Sequence, residues 1–175
     1  MNLLLLAGNS LRNKQWIHEA RDHLAQPFDT AYVHEYTHWE SGADFIDLDF
    51  ELEQLMTAVR PLRQFATFAK SMGSVLALRC IAENAIMPTC MLIVGLPLQE
   101  INRRGIPVNE WLRVSPIPIL IVQNEDDPLG SFEQVLSYVG TCQNELIQVA
   151  SVPGDTHDYE DYDTLQDMLA YISNS

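Results

Sequence analysis

The 175-residue chain carries 24 acidic against 10 basic side chains, a formal net charge of −14, which argues against nucleic acid and anionic membrane surfaces as partners. With 47% hydrophobic and 19% charged residues, the composition is that of an ordinary globular protein, long enough to bury a full core and read as one domain over residues 1–175. Cys80, Cys90 and Cys142 are odd in number and sit in apolar runs, so they read as buried thiols of a reducing compartment and not as a disulfide framework.

Leu3 to Ala7 is a continuous apolar run ending at Gly8, the pattern of a strand buried on both faces of a parallel sheet. It lacks a basic leader and is too short to span a bilayer, so a cytoplasmic protein is expected. Gly8-Asn9-Ser10 reads as a turn, and Trp16, Ile17, Ala20 and Leu24 then recur at helical spacing until Pro27. Thr30 to Tyr36 is rich in β-formers and reads as a second strand. Phe45, Leu48, Leu52, Leu55, Met56 and Val59 mark an amphipathic helix between Asp44 and Arg60, stopped by Pro61.

Phe65 to Ala69 is the third strand, leading into a helix with Val75, Leu76, Leu78, Ile81 and Ala82 on its apolar positions. Thr89 to Gly95 is a fourth strand, and Leu96 to Ser115, rich in Pro, Asn and Arg, reads as irregular. Ile117 to Gln123 is a fifth strand, Ser131 to Val139 a helix, Glu145 to Ser151 a sixth strand, and a last helix runs to Ile172. Alternating strands and helices with uniformly apolar strands predict an α/β fold, a three-layer α/β/α sandwich around a mostly parallel sheet of about six strands. Ligands bind such sheets beyond the carboxyl ends of the strands. That edge collects Gly8-Asn9-Ser10, Ser71, Asp126, Asp127 and His157.

Ser71 lies at a strand-to-helix junction between Ala69 and Gly73, which is G-x-S-x-G with alanine in the first place. Small neighbours are needed where backbones crowd, and the Met72 N–H would face an oxyanion forming beside Ser71. The simpler role for Ser71 is a helix cap. Nucleophilic serine chemistry also needs a base for the Oγ proton and a carboxylate to orient that base. Here an Asp-Asp-Pro loop follows strand five and a loop histidine follows strand six. Either aspartate could instead cap the helix near Ser131, and His157 could be a plain surface residue.

The order Ser71, Asp127, His157 resembles the α/β-hydrolase superfamily, and the likeness covers nearly the whole chain as a minimal member without a large cap. Asp127 is favoured over Asp126 because the family's acid usually directly precedes the proline. Gly8-Asn9-Ser10 resembles the family's oxyanion loop, with Ala7 where a histidine is usual, so Asn9 or Ser10 would join Met72 as N–H donor. The resemblance implies a serine hydrolase of carboxylesterase or thioesterase type, acting on a small acyl ester or an exposed acyl or peptide group through a Ser-His-Asp triad. No cofactor or metal is implied. Lys70, where many members carry His or Tyr, would bind an acidic group or point to solvent. Only about twenty residues separate strands four and five, so an open cleft suited to short acyl chains is expected. The looser motif, Ala69 and Ala7, leaves a non-catalytic binding protein on the same scaffold as the alternative.

His34-Glu35-Tyr36-Thr37-His38 also satisfies H-E-x-x-H, a zinc hydrolase signature. That chemistry needs a helix, which places residues i and i+4 on one metal, whereas these neighbours favour strand. Extended, the two histidines stand roughly 13 Å apart at about 3.3 Å per residue. Tyr36, His38 and Trp39 are expected instead at the cleft rim, as substrate contacts or as packing at a strand end.

Overall fold

The computed structural model describes residues 1–174. Its strands are β1 (Asn2–Leu6), β2 (Ala31–His34), β3 (Phe65–Lys70), β4 (Met91–Val94), β5 (Ile119–Asn124) and β6 (Ile147–Val152). They form one sheet in the order β2-β1-β3-β4-β5-β6, and every neighbouring pair is parallel. Leu3, Leu4, Leu5 and Leu6 are all fully buried, as are Met91 to Val94, because parallel strands need helices on both faces.

The helices are α1 (Arg12–Leu24), α2 (His38–Ser41), α3 (Leu48–Val59), α4 (Met72–Ala82), α5 (Leu98–Arg104), α6 (Val108–Val114), α7 (Phe132–Gly140) and α8 (Tyr162–Ser173). Right-handed crossovers decide which face each helix covers. From β1 the chain moves to β2 on one side, then reverses and adds β3 to β6 on the other. Thus α1 lies on one face, while α3, α4, α6 and α7 lie on the opposite face, each touching the next in the series. The last helix, α8, returns to pack on α1 and over β4 and β5. The reversal leaves a crevice between the carboxyl ends of β1 and β3, where the loops after both strands meet.

Two expectations need correction. Leu96 to Ser115 is not irregular: it holds α5 and α6, each beginning just after a proline (Pro97, Pro107). Proline is tolerated at a helix start, where its missing N–H has no intrahelical partner. Gly105, at φ +63°, closes α5 in the left-handed conformation. The second strand also stops at His34, and residues 38–41 turn into the short α2. Cys80, Cys90 and Cys142 are buried free thiols.

Candidate active site

Ser71 links β3 to α4 with φ 52° and ψ −124°. A left-handed φ costs a non-glycine residue about 1–3 kcal/mol and persists only where the surroundings impose it. Here its N–H donates to the Val94 carbonyl of β4 at 3.1 Å, and its carbonyl accepts from the Ser74 N–H and hydroxyl. The Ser71 side chain makes no capping bond to α4, so the helix-cap role does not apply. It lines a cleft of about 790 Å³ together with Met72, Asn9, Ser10, Lys70 and His157. Gly73 lets this turn lie on β1: a Cβ there would meet the Leu6 carbonyl oxygen at 2.7 Å.

Asp127, not Asp126, faces the histidine. Its carboxylate is buried and accepts from His157 Nδ1 at 2.8 Å, from the Tyr159 hydroxyl at 2.8 Å and from the Leu129 N–H at 2.8 Å. The α7 helix does not draw on it, because Ser131 and Gln134 form that helix's own capping box. With Nδ1 donating to a carboxylate, the acceptor nitrogen of the neutral imidazole is Nε2. That atom is buried and has no hydrogen-bond partner. The Ser71 hydroxyl makes no hydrogen bond to it.

Three further residues fix the histidine, and the motif pattern alone did not single them out. Tyr159 bridges Asp127 and the backbone, since its hydroxyl also accepts from the Asn124 N–H at 3.0 Å. Burial pushes its phenol far up the scale, so it stays protonated and donates. The Asn124 side chain donates to the Thr156 and Asp158 carbonyls, on either side of His157. Gly95, at φ +66°, ends β4 beneath the ring, where a Cβ would lie 2.8 Å from His157 Cε1. Their signals were positional: Tyr159 stands two residues after the histidine, and Gly95 and Asn124 stand at strand ends.

The Gly8-Asn9-Ser10 loop is held just as firmly on the other side. The Asn9 side chain donates to the Asp44 carbonyl and accepts from the Ile46 N–H. Its own carbonyl is bonded to His38 Nε2 at 2.7 Å and to the Trp39 indole N–H at 3.0 Å. These bonds engage both the side chain and the carbonyl of Asn9. Because the peptide is trans, aiming the Asn9 carbonyl at His38 and Trp39 turns the Ser10 N–H the opposite way.

Tyr36, His38 and Trp39 are therefore not rim residues. All three are buried, and they buttress the loop from behind; Tyr36 adds a bond from its hydroxyl to the Ala7 carbonyl at 2.8 Å. The H-E-x-x-H histidines serve separate partners too. His34 ends β2 and is bonded to the buried Glu51 at 2.8 Å, whereas His38 opens α2. The single helix turn a shared zinc requires is not there. Among the described residues, no group of three or more His, Cys, Asp or Glu side chains is placed to hold a metal ion.

Residues 19–168 match the family model of the alpha/beta hydrolase domain. The chain belongs to the α/β-hydrolase family. This α/β-hydrolase is similar in structure to Est1E from Butyrivibrio proteoclasticus, solved with ferulic acid, at 12% identity over 99% of this chain and 90% of that one, with a TM-score of 0.76. It is similar to the Pyrococcus furiosus esterase Pf2001 at 14% identity, covering 99% and 80%, with a TM-score of 0.74. An alpha-beta serine hydrolase homologue from Coxiella burnetii matches at 15% identity, covering 98% and 84%, with a TM-score of 0.76. At such identities the likeness is one of fold. No protein of curated function matches the sequence. Among the described residues, no helix of this α/β-hydrolase is long and apolar enough to cross a membrane.

Proposed function

We propose that this α/β-hydrolase is a serine hydrolase of carboxylesterase or thioesterase type, acting on small acyl esters or on an exposed acyl or peptide group. The observation that carries the reading is His157, tied through Nδ1 to the buried Asp127 while the unpartnered Nε2 lies in the wall of the cleft that holds Ser71. Ser71 Oγ attacks the substrate carbonyl carbon as His157 Nε2 takes its proton. Asp127 fixes the imidazole tautomer and stabilises the imidazolium. The carbonyl oxygen, now an oxyanion, is met by the N–H of Met72 at the start of α4 and by that of Asn9 or Ser10. His157 returns the proton to the leaving alkoxide or thiolate as the bond to it breaks. Water then attacks the acyl-serine, with His157 again as base, and releases the acid.

The substrate must supply part of the exclusion of water, since among the described residues no large cap covers the cleft. Short acyl groups fit that arrangement better than long chains, which need an enclosed tunnel to gain about 0.8 kcal/mol per buried CH₂. A fluorophosphonate probe should label the wild type and not Ser71→Ala, and the variant should fold normally while losing several orders of magnitude in kcat/KM. Equal labelling of both removes Ser71 from the nucleophile role. Absence of labelling and of ester turnover in the wild type leaves a binding protein on a hydrolase scaffold.

A further inference from the structure

Lys70, the last residue of β3 and the one directly before Ser71, is an unusual neighbour for a reacting serine. Its side chain is only 4% exposed, yet it lines the same cleft. Its ammonium sits 4.4 Å from the centroid of the Trp16 ring, and that ring is locked by the indole N–H bond to the Tyr159 carbonyl at 2.9 Å. Asp127 and Glu160 act on Lys70 through their charge alone, and its ion-pair partner, Asp158, lies 3.8 Å away and is 67% exposed. That separation is well beyond the roughly 2.7–2.9 Å of a charge-assisted hydrogen bond, and water screens so exposed a carboxylate. Desolvation outweighs the nearby acids and pulls the Lys70 pKa down. A buried ammonium without a close counter-ion carries a desolvation cost that an anion of matching position offsets.

The charge distribution points the same way. The chain has ten basic side chains and a net charge of −14, and four of the ten, Arg12, Lys70, Arg103 and Arg104, line this one cleft, which makes it less acidic than the rest of the molecule although Asp44, Glu100, Asp158 and Glu160 line it too. Arg103 and Arg104 are held by Glu100 at 2.6 and 3.2 Å, and Arg104 stacks over the Phe45 ring at 3.4 Å. Their charges are partly spent on the rim. Arg12 is exposed at the start of α1, and its charge acts on Lys70 from close by. Lys70 is the cation that is both desolvated and under-paired, and it stands beside the nucleophile. Low-dielectric walls strengthen its attraction for an entering anion.

We infer that Lys70 is the specificity-determining residue of the cleft, holding a carboxylate of the substrate a few bonds from the scissile carbonyl. The substrate class is then a short half-ester or thioester of a dicarboxylic acid, not a neutral acyl ester. This rests on the serine hydrolase reading above and narrows it. One carboxylate oxygen would take a hydrogen bond from the Lys70 ammonium, with Trp16 keeping the stem straight and dry.

The test compares matched substrates that differ by one charge: monoethyl succinate and monoethyl glutarate against ethyl butyrate and ethyl valerate, with acid release followed by titration. The wild type should favour the half-esters by roughly tenfold to a hundredfold in kcat/KM, the range of a charged hydrogen bond. Lys70→Met keeps the length of the stem against Trp16 and removes the charge, so the ratio should fall to about one or below. A wild type that hydrolyses the neutral esters as fast as the half-esters overturns the assignment while leaving the hydrolase reading intact. If no ester is turned over, that reading fails instead. Calorimetric binding of monoethyl glutarate to Ser71→Ala, compared with the Ser71→Ala/Lys70→Met double variant, then decides the subsite alone. Binding that is weaker by about tenfold or more in the double variant supports it, and equal or absent binding in both overturns it. The same pair of proteins decides the matter should Lys70→Met alone alter the turnover of every substrate.

Discussion

Ser71 is flanked by two loops that reach the same cleft by opposite means. On the side of β4, β5 and β6, the bonds converge on a side chain: Asp127, Tyr159, Asn124 and Gly95 all serve to place the His157 ring. On the side of β1 and β2, buried side chains converge on a backbone: Tyr36 grips the Ala7 carbonyl, while His38 and Trp39 grip that of Asn9. On the proposed mechanism, one flank positions a group that moves protons, and the other positions N–H donors that must not move at all. Both use buried polar networks, where each satisfied bond is firm and each broken one is costly. The difference lies in what a lesion takes away. Under the proposed mechanism it is the base on one flank and the oxyanion on the other.

The sharpest way to break the first flank is Gly95→Ala. The added Cβ would meet both the His157 and Tyr159 rings at a φ of +66°, so the imidazole has to shift. A displacement of about 1 Å is enough to lose around a hundredfold in rate, and kcat should carry that loss while short-ester KM changes little. A Gly95→Ala enzyme with wild-type kcat would show that the ring is not held from below.

On the second flank, His38→Ala and Trp39→Phe each remove one donor to the Asn9 carbonyl. Each should lower kcat by about tenfold, less than the hundredfold or more expected from deleting an oxyanion donor outright. The double variant should lose more than either single variant. A transition-state analogue such as a boronic acid should lose affinity in parallel with kcat, whereas a ground-state ligand should not. Parallel loss for both ligand types would mean that the whole cleft has shifted.

Tyr159→Phe is milder, since the ring remains and only the hydroxyl between Asn124 and Asp127 goes. Its expected cost is about 1–2 kcal/mol of stability, read from urea unfolding, with a several-fold loss in kcat. Unchanged stability would mean that the bridge carries no net energy.

The smallest effect concerns Glu51, which ties His34 and the Thr37 N–H together behind α2. Burial works to raise its carboxyl, but the bonds from His34 and Thr37 outweigh burial and hold it below the ordinary range. A folded value below the unfolded value of about 4.3 makes its stabilising contribution present at neutral pH and lost as pH falls through the folded value. The stability gap between wild type and Glu51→Gln should therefore narrow in acid. A gap that stays flat from neutral pH to pH 3 would sink this assignment.

Much of this was legible from residue order. The apolar and β-rich runs located all six strands to within two residues at each end, and Ser71, Asp127 and His157 could be picked out because each follows a strand end in turn. The parallel sheet then brings those ends to one edge whatever the details of packing. What could not be read was anything depending on a partner distant in sequence. Tyr36, His38 and Trp39 look like strand residues at a rim. They are drawn inward because Glu51, on α3, captures the Thr37 N–H and starts a turn that no local propensity announces. The helices α5 and α6 went unseen for a different reason. Seven residues give barely two turns of periodicity, and Pro97 and Pro107 read as breakers although each stands at a helix start.

The sheet ladder does not stop where the strands do. The Ser71 amide bonds to Val94, the Gly95 amide to Val122 and the Glu125 amide to Val152, each residue just past its strand hooking onto the next strand across. Hydrogen exchange would see these three amides as part of the central sheet, opening only when the whole sheet opens and not in local fluctuations of the loops. The turn bearing Ser71 then has no separate unfolding transition of its own. Loss of activity on denaturation and loss of the sheet should trace one curve, and the left-handed turn at Ser71 should survive for as long as the molecule stays folded.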